Sequence, residues 1–187
     1  MAIILRRGGG RRSWRQRSWQ GLSGACADAS QLRKPWAKRS ARLALENGSV
    51  FYGVPFGANG TTTAELVFNT TLTGYQEVMT DPSYAGQAVL FTQPHIGNTG
   101  VNSIDEESTT CHLNAIVCRQ LSPIVSSYRS SKSLSDYLAE RNVVGIEGVD
   151  TRAITRRIRE SGCLVACIST DLNLSHDVCS RLRLLNR

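Results

Sequence analysis

No pattern in this chain leaves fewer folds open than the strand, helix and strand that follow one another near its end. Val143-Val144-Gly145-Ile146 is a short apolar run of strand type. Asp150 or Thr151 then caps a helix that carries Ile154 and Ile158 on one face and stops at Gly162. Leu164-Val165-Ala166-Cys167-Ile168 returns as a strand. A βαβ unit of this kind predicts a parallel strand pair with a right-handed crossover. Just upstream, Ser133-Leu134-Ser135-Asp136 resembles a capping box and predicts a short helix through Arg141, with Leu134, Tyr137 and Leu138 on one face. Helical signals are confined to this second half.

The first half reads as strands and turns. Asn47-Gly48 stands between two alternating runs, which predicts a hairpin closed by a two-residue type I′ turn. That loop length sets Leu45 opposite Val50 and Leu43 opposite Tyr52, leaving one side of the ribbon apolar. Asn59-Gly60 marks another turn. Leu66-Val67-Phe68, Ala88-Val89-Leu90-Phe91 and Ile116-Val117-Cys118 follow as strands. Antiparallel hairpins first and a βαβ unit last predict a mixed α/β domain that begins near Ala41.

Charge separates that domain from what precedes it. Of a formal net charge of +7, residues 1–40 hold ten Lys and Arg against the single acid Asp28, so the remainder is mildly acidic. An acidic body offers no electrostatic footprint for DNA or RNA. Ile3-Ile4-Leu5 is too short for a secretory signal, whereas an Arg-rich, acid-poor start fits an organelle transit peptide. Two other readings stay open for this segment: a tail without structure, and an arginine-rich arm whose Trp14, Trp19 and Trp36 stack on RNA bases. No apolar run approaches the 18 residues of a membrane-spanning helix.

Catalytic signals are sparse. The six cysteines (26, 111, 118, 163, 167 and 179) form no C-x-x-C pair, and with His95, His112 and His176 they offer no zinc-ligand spacing. Cys118 and Cys167 lie in apolar strand patterns, where a thiol packs as a small hydrophobe. Cys111 could pair with His95 or His176, but it follows Asp105-Glu106-Glu107, an acidic setting that raises a thiol pKa and disfavours the nucleophilic thiolate. Arg152, Arg156 and Arg159, at i, i+4 and i+7, share a helix face that is either solvated or docks on an acidic partner. Residues 69–102 are dense in Gly, Thr, Asn and Pro around one strand, as loop structure or a binding surface for a polar small molecule would be.

That segment carries a resemblance. TGYQEVMTDPSYAGQ (73–87) and PHIGNTGVN (94–102) closely resemble the amino-terminal domain of the small subunit of glutamine-hydrolysing carbamoyl phosphate synthetase. The likeness continues in order through FGANG (56–60), ELVFNT (65–70), DEES (105–108), SLSDYL (133–138), VDTRAITRRIRESG (149–162) and CIST (167–170). It implies a layered β/β/α domain over residues 41–171, between a leader at 1–40 and a divergent tail at 172–187. It also implies a role beside a large subunit that uses ATP and a divalent metal to make carbamoyl phosphate for arginine and pyrimidine synthesis. The small-subunit chain itself then holds no cofactor. In the family, a serine of the DPSY motif reaches the glutamine site, which singles out Ser83 as a glutamine contact here.

The family's second domain, an amidotransferase with a Gly-x-Cys-x-Gly nucleophile, has no counterpart before Arg187. The expectation is therefore a truncated chain that releases no ammonia by itself and has no catalytic residue of its own. It would be a small-subunit component, or alternatively a non-catalytic protein competing for the large subunit. The leader and the bacterial-type body point to a plastid, with the mitochondrion as the alternative.

Overall fold

The computed structural model describes residues 40–171. The expectations for the leader, for His176 and for the basic tail lie outside the described residues. Seven strands alternate with three short helices: β1 (Ala41–Leu45), β2 (Val50–Gly57), β3 (Thr61–Asn69), α1 (Tyr75–Thr80), β4 (Ala88–Phe91), β5 (Ala115–Val117), α2 (Leu134–Glu140), β6 (Val144–Glu147), α3 (Thr151–Ser161) and β7 (Leu164–Ser169). The domain is mixed α/β. Its strands close into a ring in the order β1-β2-β6-β5-β4-β3-β7. The four neighbours β3, β4, β5 and β6 are parallel, while β2, β1 and β7 complete the ring through antiparallel pairs.

The predicted strand–helix–strand unit forms in sequence but not in pairing. Both edges of β6 are taken by β2 and β5, and both edges of β7 by β1 and β3. A strand has only two edges, so α3 carries the chain across the ring instead of returning it parallel to β6. The caps are as predicted. Asp150 accepts from the Ala153 N–H at 3.0 Å at the start of α3, and Gly162 ends it at φ 80°. Ser133 likewise accepts from the Asp136 N–H at 3.1 Å to open α2.

The hairpin register is shifted by one residue from the predicted one. The Gly48 N–H donates to the Leu45 carbonyl, the Leu45 N–H donates to the Ser49 carbonyl, and only Gly48 takes a positive φ. The loop is therefore Glu46-Asn47-Gly48, a three-residue turn that closes on a left-handed glycine. Leu43 faces Phe51, and Tyr52 pairs with Arg42. Because side chains alternate along a strand, the shift exchanges the faces of Phe51 and Tyr52. Phe51 packs on the core and Tyr52 is 50% exposed.

Two apolar clusters result. Alternate residues of the ring, among them Leu43, Leu66, Leu90, Val117, Ile146 and Ile168, meet Ile154 and Ile158 of α3 in the first. Val89, Phe91 and Ile116 point the other way and are covered by Tyr75 and Met79 of α1 and by Leu134 and Leu138 of α2. Close backbone approach tightens the β2–β6 seam, since a Cβ on Gly53 would stand 2.2 Å from the Glu147 carbonyl oxygen.

Candidate functional site

Helical structure is not confined to the second half. The stretch 75–80 turns as α1, and Pro82–Tyr84 forms one 3-10 turn. Gly74 starts α1 in the left-handed region at φ 77°, and Glu77 sits in the first turn, where it meets the positive end of the helix dipole. Only six residues long, α1 depends on tertiary bonds. The buried Gln76 amide donates to the Asn102 carbonyl and accepts from the Asn102 N–H at 3.0 Å. The Tyr75 hydroxyl donates to the Gly100 carbonyl and lies 2.9 Å from the Thr99 hydroxyl. Burial raises the Tyr75 pKa, so the phenol keeps its proton for those bonds. These contacts bring the two motif segments, 73–87 and 94–102, together.

Between the segments lies a polar cleft of about 270 Å³ lined by Thr73, His95, Asn98, Thr99, Asp105 and Arg129 among others. Arg129 and Asp105 pair across it at 2.7 Å. The cleft offers hydroxyls, amides and one imidazole to a polar ligand. The sequence reading left residues 69–102 open between loop and binding surface, and the fold gives this cleft to that segment.

Ser83 lies beyond the other end of α1 and does not line the cleft. It is exposed on the 3-10 turn, with its N–H donating to Asp81 Oδ1 at 2.8 Å. That amide, then the Ser83 hydroxyl, hold the Asp81 carboxyl below the usual 3.8. Below α1, the Thr80 hydroxyl accepts from the Glu107 N–H at 2.9 Å, and Ser108 donates to the Thr80 carbonyl at 2.7 Å. The acidic segment 105–108 is thereby anchored to the helix.

Cys111 and His95 are not brought together. His95 is exposed at the cleft, whereas Cys111 packs against the second apolar cluster near Arg141. The thiol pKa is raised, as the sequence suggested, but burial is the main cause and not the acidic run. Cys118 and Cys167 are buried among apolar side chains. The sequence reading missed a polar trio beside Cys111. The Tyr137 hydroxyl donates to Glu106 Oε1 at 3.1 Å, Arg141 reaches the same oxygen at 3.4 Å, and its guanidinium stacks 4.4 Å from the Tyr137 ring. Only the i, i+4 spacing of Tyr137 and Arg141 hinted at it.

Arg152, Arg156 and Arg159 are exposed on one face of α3, as their spacing predicted, and line a second cavity of about 370 Å³. Arg157 turns away and stacks 5.2 Å from the Phe51 ring.

Ring, cleft and exposed turn define a mixed α/β domain with a polar cleft between its two motif segments. The family model described as "Carbamoyl-phosphate synthase small chain, CPSase domain" matches residues 43–168, and the chain belongs to that family. It is 56% identical over 146 residues to the chloroplastic carbamoyl phosphate synthase small chain of Oryza sativa subsp. japonica, covering 78% of this chain and 33% of that one. The small chain of Arabidopsis thaliana, also named chloroplastic, is 56% identical, with 78% and 34% covered. That of Vibrio cholerae is 55% identical over 136 residues, with 73% and 36% covered. The chain spans about a third of the length of these relatives.

Proposed function

We propose that this chain serves as the small-chain component of a glutamine-dependent carbamoyl phosphate synthase. It docks on the large subunit, where ATP and a divalent metal are used, and lends the Ser83 hydroxyl to the glutamine site. The observation that carries this reading is the family match across residues 43–168, which spans the Asp81-Pro82-Ser83-Tyr84 turn. The exposed Ser83 supports it: a hydroxyl on a turn fixed by Pro82 and by the Asp81 carboxylate meets a polar ligand with little entropy loss. Two apolar clusters on opposite faces of the parallel strands fit the family's layered β/β/α domain. A plastid address is in keeping with the two relatives named chloroplastic.

The purified chain, mixed with the large subunit of a plant carbamoyl phosphate synthase, is expected to co-sediment with it. Separate sedimentation at micromolar concentrations of both would overturn the docking role. The chain alone is expected to release no ammonia from glutamine, because glutamine hydrolysis needs a low-pKa thiolate beside a base and burial pushes the Cys111 thiol up. Ammonia release abolished by Cys111→Ser would refute that.

A further inference from the structure

The cavity beside α3 gathers three guanidinium groups, Arg152, Arg156 and Arg159, with Thr70, Thr92 and Thr155, and no carboxylate lines it among the described residues. Arg152 and Arg156, four residues apart, repel one another along the helix, so the arrangement works against α3 unless an anion lies between them. None of the three arginines forms an ion pair or hydrogen bond with a described residue, whereas Arg129, Lys132 and Arg141 each pair with a carboxylate elsewhere. The site is also held in place. Arg159 stacks 5.2 Å from the Phe68 ring of β3, and the buried Thr155 donates to the Thr151 carbonyl at 2.8 Å, which fixes its rotamer. Thr92 is fixed as well, its N–H and hydroxyl both reaching the Asn69 carbonyl at 3.1 and 3.2 Å. Thr70 and Thr92 follow the ends of the paired strands β3 and β4, where the chain turns away and leaves room.

We propose that this cavity is a binding site for a phosphate-type oxyanion, either free phosphate or the phosphoryl group of a small metabolite. Guanidinium forks match the oxygen geometry of phosphate and carry permanent charge. The cavity volume falls within the roughly 300–1,000 Å³ of small-molecule pockets, so the body of a phosphorylated metabolite fits beside the anion. The site is separate from Ser83 and from the polar cleft, and it stands whether or not the docking role does.

The test is calorimetric titration of the full chain with inorganic phosphate and with a nucleoside monophosphate, at ionic strength matched with chloride. Saturable binding is expected. The double variant Arg152→Gln/Arg156→Gln, whose side chains form no ion pair or hydrogen bond with a described residue, should lose affinity by at least about tenfold at an unchanged Tm. Arg157→Gln removes a charge from the same helix outside the cavity and should leave affinity within about twofold, which separates the site from general basicity, that of the leader included. Tighter binding of the monophosphate than of phosphate assigns the site to a metabolite, and equal binding assigns it to the free anion. Wild-type affinity in the double variant overturns the proposal. So does a double variant that fails only to bind the large subunit while neither probe binds the wild type; that result would make the arginines a protein-docking face.

Discussion

The side-chain amide of Gln76 closes on the backbone of Asn102, 26 residues away, accepting from its N–H at 3.0 Å and donating to its carbonyl. The Asn102 side chain then turns outward, accepting from the Ile104 and Asp105 N–H groups and donating to the Asp105 carboxylate at 2.8 Å. One buried amide thus fastens α1 to the loop that walls the polar cleft.

Replacing Gln76 with Ala should leave two buried backbone groups unpaired, each costing about 1–3 kcal/mol. Urea denaturation should report the loss. A stability change below about 0.5 kcal/mol would mean that water takes over both bonds.

The hairpin register predicts unequal costs for neighbouring aromatics. Phe51→Ala should destabilise the domain by about 2 kcal/mol or more, because it opens the first apolar cluster and removes the surface on which Arg157 stacks. Tyr52→Ala, half exposed on the other face, should cost under about 1 kcal/mol. The reverse order in paired unfolding curves would restore the two-residue loop.

Gly53→Ala probes the seam between β2 and β6. Its Cβ would meet the Glu147 carbonyl oxygen, a backbone atom that moves only if the strands part. The expected cost is at least about 1–3 kcal/mol. Gly48→Ala, with open space around the site but a φ of 88°, should cost about 1 kcal/mol from backbone strain alone.

The Asp81–Ser83 turn is pH-dependent with a definite sign. The Asp81 carboxyl titrates below 3.8 in the folded chain, so its bond to the Ser83 N–H is complete above that value and is lost as the pH falls through the depressed pKa. The Ser83 amide resonance, followed by NMR, should shift with a midpoint below 3.8. A midpoint above it would show that the turn is open in solution.

Within a small chain that also carries a glutaminase domain, Ser83→Ala should raise the KM for glutamine roughly 2- to 12-fold at an unchanged kcat, the equivalent of one hydrogen bond of about 0.5–1.5 kcal/mol. A lowered kcat at constant KM would instead place Ser83 in the chemical step.

Local patterns determined much of this protein. The caps Ser133, Asp150 and Gly162 bound α2 and α3 where expected, because a cap is a bond between residues two to four apart. The strands at 66–68, 88–91, 116–118, 143–146 and 164–168 were legible from apolar runs, and the arginine face of α3 from its spacing. Tertiary structure decided the rest. Strand pairing depends on which edges remain free once the ring closes, so no local pattern could show that β7 joins β1 and β3 and not β6. The hairpin register turned on one residue of loop length, a choice that Asn47-Gly48 permits either way. Neither α1 nor the cleft was visible, since the bonds that hold six residues helical come from Asn102, Gly100 and Glu107, all more than twenty positions away in sequence. The three arginines were written in the sequence, but only the fold set them around a cavity with three threonines and, among the described residues, no acid.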